Sequence, residues 1–135
     1  MSSTPGYSGK SLTAKLGIEP GMRVALRNAP RDLTSWLAPL PEGAQLLGVR
    51  ATDVAGVMLF VTRRVAFERD LPKALAQVAD GGMLWICWPK KASGTDTDVT
   101  EQVLRDVALP TGWVDVKVCA VSDEWSGLKF VKRKT

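Results

Sequence analysis

The sequence predicts a single α/β domain over residues 1–135, built on a mixed sheet with a parallel centre and a C-terminal antiparallel hairpin. Three observations predict it. Val57–Val61 and Met83–Trp88 are unbroken apolar runs, the pattern of strands covered on both faces. Segments of helical periodicity follow each of them. Trp113–Val121 and Leu128–Lys132 alternate apolar and polar residues, as strands with one face in water do.

The elements follow in order. Ser11–Leu16 reads as a short helix with Leu12 and Leu16 one turn apart, stopped by Gly17. After the Pro20-Gly21 turn, Met22–Arg27 is a strand alternating apolar and basic residues. Asp32 is placed to cap a short helix carrying Leu33, Trp36 and Leu37, which ends before Pro39. Ala44–Val49 is a weaker strand. Only about seven residues separate it from Val57, too few for an ordinary parallel crossover of roughly a dozen or more. Either an extended loop crosses the sheet or this strand pairs in another way.

Phe67, Leu71, Leu75, Val78 and Ala79 mark a helix over about 64–79, with Pro72 expected to interrupt it, Asp70 to recap it and Gly81-Gly82 to end it. After Met83–Trp88, Asp98 with Glu101 three residues later is a helix start, and Val99, Val103, Leu104 and Val107 form its apolar stripe. Trp113–Val121 is a strand expected to set Val114, Val116, Val118 and Ala120 on one face. Leu128–Lys132 returns antiparallel to it. The ends, 1–9 and 133–135, are small, polar or basic and are expected to be mobile.

Composition limits the function. Hydrophobic residues are 45% and charged residues 24%, ordinary for a core-forming domain. No apolar run is long enough to cross a bilayer and no signal-peptide pattern opens the chain, so no membrane role and a cytoplasmic location are expected. A net charge of +4 is compatible with anionic ligands, but the basic residues form no stripe, so nucleic-acid binding ranks last. Cys87 and Cys119 match no zinc spacing and are expected as free, buried thiols. The chain has no histidine, which excludes Ser-His-Asp and Cys-His mechanisms and weighs against an enzyme.

If the central strands are parallel, their C-terminal ends share one rim, where ligands bind in open α/β sheets. That rim collects the candidate ligand residues Asn28, Arg31, Lys90, Lys91, Ser93 and Trp125. The lysines would bind negative charge, Trp125 would stack, and Asn28 and Ser93 would orient a ligand. Each has a plainer alternative: solvated charge for the lysines, turn formation for Ser93 and Asn28, packing over the hairpin for Trp125.

The order strand, helix, "DGGMLWICWPK", helix, "GWVDVKVCAV", turn, "LKFVKR" resembles the C-terminal half of class I S-adenosylmethionine-dependent methyltransferases. The segments "GYSGKSLTAKLGI", "RNAP", "WPKKASG" with "DVTE", and "VDVKVCAVSDEWSGLKF" resemble a family of short bacterial proteins of unknown function. The resemblance implies a Rossmann-like fold and no established activity. It also implies where this chain departs from the methyltransferases. Arg27–Arg31 stands where they carry a Gly-rich turn, and Val49 and Arg50 stand where a ribose-binding acid is expected. No cofactor is therefore expected, and S-adenosylmethionine is not expected in its usual pose. The favoured reading is a non-catalytic interaction or regulatory module with a protein partner or self-association. The alternative is an anionic or nucleotide-like small molecule bound at the rim.

Overall fold

The computed structural model describes residues 11–132; the ends expected to be mobile lie outside the described residues. The elements are α1 (Leu12–Leu16), β1 (Arg23–Arg27), α2 (Leu33–Leu37), β2 (Gln45–Leu47), β3 (Val54–Phe60), α3 (Arg64–Gln77), β4 (Val78–Pro89), α4 (Glu101–Ala108), β5 (Trp113–Ala120) and β6 (Trp125–Lys132). They form a six-stranded sheet of order β2-β1-β3-β4-β6-β5. β2, β1, β3 and β4 are mutually parallel, and β6 runs antiparallel between β4 and β5. The two apolar runs lie side by side as expected, with Met58 opposite Trp85 and Phe60 opposite Cys87.

Strand periodicity divides the core into two layers. Val57, Leu59, Leu84, Ile86 and Trp88 face Phe67 and Leu71 of α3 and Leu104 of α4. Met58, Phe60, Met83, Trp85 and Cys87 face Leu16 of α1 and Leu33 and Leu37 of α2. Trp85 and Trp88, three apart, therefore face opposite layers. The indole of Trp85 is buried and donates Nε1–H to the Leu16 carbonyl at 2.9 Å. Gly127, paired with Cys87 on the neighbouring strand, leaves room for the ring: a Cβ there would lie 3.1 Å from Trp85 Cε3 and 3.2 Å from Val121 Cγ2.

The short link after β2 crosses β1 through a turn at Val49-Arg50, closed by Ala51 N–H on the Gly48 carbonyl at 3.2 Å. Two side chains hold it. Gln77 Nε2 donates to the carbonyls of Gly48 (3.3 Å) and Ala51 (2.7 Å). The Arg23 guanidinium donates to those of Thr52 and Asp53, each at 3.1 Å. Gln77 is 3% exposed, and its Oε1 accepts from Arg27 Nε at 2.6 Å, so the buried amide is satisfied on both sides. β2 shrinks to Gln45–Leu47, which shortens the return enough for residues 48–53 to span it.

Five expectations are corrected. α3 runs unbroken through Pro72 and ends at Gln77. Buried Phe67, Leu71 and Ala74 anchor it on both sides of the proline, whose own position is exposed. Asp70 caps nothing and is buried within the helix. The glycine pair belongs to β4, where residues 79–82 bulge between the Val54–Val78 and Gly56–Met83 pairs. Gly81 is left-handed (φ 80°), and a Cβ on Gly82 would sit 2.8 Å from the Ala55 carbonyl oxygen. α4 starts later than expected, with Thr100 as its N-cap. In β5 the buried ends are Trp113 and Cys119, while Val116 and Val118 are more than half exposed. A register shift between Asp115 and Lys117 breaks the simple alternation, and β5 is the outer strand of the sheet.

Candidate functional site

The C-terminal ends of β1, β3 and β4 and the beginning of β6 meet at one rim, and two loops are strapped together across it. Three consecutive residues of the β4–α4 segment bind three consecutive residues of the β3–α3 segment. Arg63 Nη2 donates to Asp96 Oδ2 at 2.6 Å. Thr97 Oγ1 donates to the Thr62 carbonyl at 2.6 Å and accepts from Val99 N–H at 3.0 Å. Asp98 Oδ1 accepts from Arg64 N–H, at the first residue of α3, at 2.7 Å. Asp98 is thus a cap, but of α3 across the rim rather than of its own helix.

Strapping this segment down opens a cleft of about 420 Å³ between the end of β4 and the first turn of α4. Trp88, Pro89 and Ser126 line it from the sheet, Thr97, Val99, Thr100 and Glu101 from the helix side, and Lys90 and Lys91 from the turn between. The Thr100 hydroxyl accepts from Val103 N–H at 3.2 Å. The amides of Glu101 and Gln102, first-turn donors, find no acceptor among the described residues. Glu101 is the carboxylate bordering the cleft, and Arg105 neutralises it at 2.6 Å while also holding Asp115 at 2.9 Å. Positive charge therefore prevails, reinforced by the helix dipole.

Lys90 is fixed by its main chain. Its N–H donates to the Glu124 carbonyl at 2.8 Å, and its carbonyl accepts from Ser93 Oγ at 2.7 Å and Ser93 N–H at 3.0 Å. Ser93 is thus a turn former that sets Lys90, its hydroxyl also accepting from Thr95 N–H at 3.2 Å.

Of the candidate residues, the structure brings Lys90, Lys91 and Ser93 together, pairs Trp125 with Pro89 beside them, and ties Asn28 to Asp70 instead. Trp125 packs edge-on against Phe60, with ring centroids 5.0 Å apart, on the α1–α2 side. Asn28 has a left-handed backbone (φ 58°), taking the turn a glycine would otherwise supply, and its amide donates to Asp70 Oδ2 at 3.1 Å. Asp70 is held below the usual carboxylate range, first by the Arg69 guanidinium and then, against the opposing effect of burial, by Asn28. Arg31 is exposed and lines neither this cleft nor the larger one described below. Sequence reasoning missed Thr100 as a cleft residue; its spacing to Val103 is a capping signal hidden behind the stronger Asp98–Glu101 pattern.

A larger concavity, about 770 Å³, lies at the opposite end of the sheet, among the Pro20-Gly21 turn, the Gly81-Gly82 bulge and Lys129. It mixes Glu19, Asp53 and Asp80 with Arg23 and Lys129, so no one sign of charge prevails there. The smaller rim cleft is the better-defined site because its charges and free amides agree in sign.

Burial pushes both thiols up: Cys87 lies fully inside the core, and in Cys119 the same effect is opposed by Lys15, Lys117 and Lys90. Both stay protonated near neutrality and are poor nucleophiles. Among the described residues no group of His, Cys, Asp or Glu could hold a metal ion, and no helix is long and apolar enough to cross a membrane.

The fold and site define a domain of methyltransferase-like architecture with a cationic cleft at its rim. Fibrillarin from Aeropyrum pernix with natively bound S-adenosyl-L-methionine is similar at a TM-score of 0.62 and 12% identity, over 84% of this chain and 68% of that one. A possible exported protein from Bordetella parapertussis gives 0.63 and 12%, over 91% and 66%. A SAM-dependent methyltransferase from Aquifex aeolicus gives 0.59 and 12%, over 88% and 86%. The chain spans about two thirds of the first two, and the likeness is one of fold.

The chain belongs to the family of proteins of unknown function DUF3052, which matches residues 41–134. No curated protein matches it.

Two features that the methyltransferase resemblance implies for holding S-adenosylmethionine are not found at the ends of β1 and β2. After β1 the Asn28 side chain is drawn to Asp70, and no Gly-rich turn exists. After β2 the Gly48 and Ala51 carbonyls are taken by Gln77, and no carboxylate stands beside Val49 and Arg50.

Proposed function

We propose that this protein is a non-catalytic binding module of methyltransferase-like fold that holds an anionic, phosphate-bearing small molecule in the cleft between β4 and α4. The observation that carries this is that Lys90, Lys91 and Glu101, whose first-turn amide is unpaired among the described residues, line one concavity at the head of α4. Backbone N–H groups at a helix N-terminus, with flanking cations, favour phosphate or carboxylate. Binding rather than chemistry is favoured because both thiols are held protonated and Asp70 is committed to Arg69 and Asn28. Self-association through β5 is disfavoured, since that outer strand is irregular near Val116 and carries Lys117, features that blunt edge pairing. The cytoplasm remains the expected location.

The test is thermal unfolding with orthophosphate at constant ionic strength, for the native chain and for Lys90→Ala/Lys91→Ala. A ligand at about 100 times its Kd raises stability by about 2.7 kcal/mol, so a rise of several degrees is expected. The double variant should lose it. No stabilisation of the native chain at millimolar phosphate, or equal stabilisation of both proteins, contradicts the proposal.

A further inference from the structure

The cavity of about 770 Å³ at the opposite end of the sheet carries charges of both signs that do not pair with one another. Asp53 and Asp80 border it from the adjoining starts of β3 and β4, where Val54 pairs with Val78. Asp80 sits in the β4 bulge. Asp53 has a left-handed backbone (φ 56°), and its carbonyl accepts from the Arg23 guanidinium at 3.1 Å. Arg23 is thus committed to main chain. Lys129 comes from β6, opposite Trp85 and so on the α1–α2 side. Its Nζ lies 3.7 Å from where a Cβ on Gly17 would sit, and Met83 Sδ lies 3.8 Å from the same point. Glu19, exposed in the loop after α1, also borders this cavity. Among the described residues Lys129, Asp53 and Asp80 make no ion pair and no side-chain hydrogen bond. Met22, Met83 and Val131 give the same cavity an apolar lining.

We infer that this cavity binds a small zwitterion with an apolar body: an apolar amino acid, or a short peptide with both ends free. Its ammonium meets Asp53 and Asp80, its carboxylate meets Lys129, and its body lies on Met22, Met83 and Val131. A ligand of one charge gains one of these contacts and faces a like charge at the other. A zwitterion gains both as charge-assisted hydrogen bonds. The α4 cleft, at the other end of the sheet, takes no part.

Isothermal titration tests this at neutral pH and constant ionic strength. The probes are the dipeptide Leu-Leu, its N-acetyl derivative, its C-terminal amide, and free leucine. The proteins are the native chain, Lys129→Gln, the double variant Asp53→Asn/Asp80→Asn, and Lys73→Gln. Asparagine tolerates the left-handed backbone of residue 53, so the double variant removes charge without adding strain. Lys73 is exposed on α3, away from this cavity, and controls for bulk charge. The native chain should bind Leu-Leu about fivefold or more tighter than either capped form, the scale of one charged contact in a partly open site. Lys129→Gln should bind Leu-Leu and its amide equally while still preferring the free amine over the acetylated one. The double variant should show the reverse. The preference each variant keeps shows that its fold and cavity are intact.

Equal affinity of the native chain for Leu-Leu and both capped forms overturns the inference, as does failure of Leu-Leu to bind at millimolar concentration. So does a preference for the free carboxylate that survives in Lys129→Gln or is lost in Lys73→Gln. Leucine binding as tightly as Leu-Leu assigns the free amino acid as the ligand; tighter binding of Leu-Leu assigns a peptide.

Discussion

Asp98 Oδ1 lies 2.7 Å from the main-chain nitrogen of Arg64 and so caps a helix that begins more than thirty residues earlier in the chain. With the Thr97–Thr62 bond beside it, this contact fixes one wall of the rim cleft. Loss of a helix cap costs about 1 kcal/mol. Asp98→Ala should therefore lower stability in urea by about that amount and weaken phosphate binding without removing a ligand contact. Thr100→Ala should cost a similar amount through α4. Equilibrium denaturation of both variants, with and without phosphate, checks this.

Trp125 acts as packing in this account. Its edge-to-face contact with Phe60 and its place in the α1–α2 layer predict that Trp125→Ala costs about 2–3 kcal/mol. The same variant should keep the phosphate affinity of the native chain. Denaturation combined with titration separates the two effects, and loss of binding at unchanged stability would contradict this role.

The contacts of Asp70 with Arg69 and Asn28 should show themselves in acid. Asp70 has a lowered pKa in the folded state, so its contribution is present above the unfolded carboxylate range near pH 3.9 and is lost as pH falls toward its folded value. Asp70→Asn should lose stability at pH 7 and show a shallower decline between about pH 5 and pH 2 than the native chain. Thermal unfolding across that range measures it.

The thiols behave in the opposite sense. Burial raises Cys87, so the folded thiol holds its proton after the unfolded thiol, near pH 8.5, has lost it. Stability is intact below that pH and should fall above it, by up to about 1.4 kcal/mol per pH unit from this group. Cys87→Ala should begin less stable because of the cavity and lose that part of the alkaline slope. Thiol titration of the native fold at pH 8 should find Cys87 unreactive.

Much of the fold was legible because its central strands carry continuous apolar runs, and the parity of Met58, Leu59, Trp85 and Trp88 assigns each to a layer without further information. The local stops at Gly17 and Pro39 were equally readable. What escaped depended on distant partners. Asp98 looks like the start of α4 because its own helix is adjacent in sequence, whereas its hydrogen-bond donor is not. Asp70 looks like the cap of a helix restarting at Pro72 until the buried side chains of α3 hold the helix together. At the site, Lys90 and Lys91 were legible as the end of a buried strand. The charges of the opposite cavity were not, since Asp53, Asp80 and Lys129 are brought to one concavity only by the pairing of β3, β4 and β6.

The most direct measurement of the central claim is the change in backbone amide resonances of the isotopically labelled chain on adding orthophosphate. Shifts should concentrate at Lys90, Lys91 and the Glu101 and Gln102 amides at the head of α4. Shifts concentrated instead at Gly17–Arg23 and Ala79–Met83, at the other end of the sheet, would contradict it.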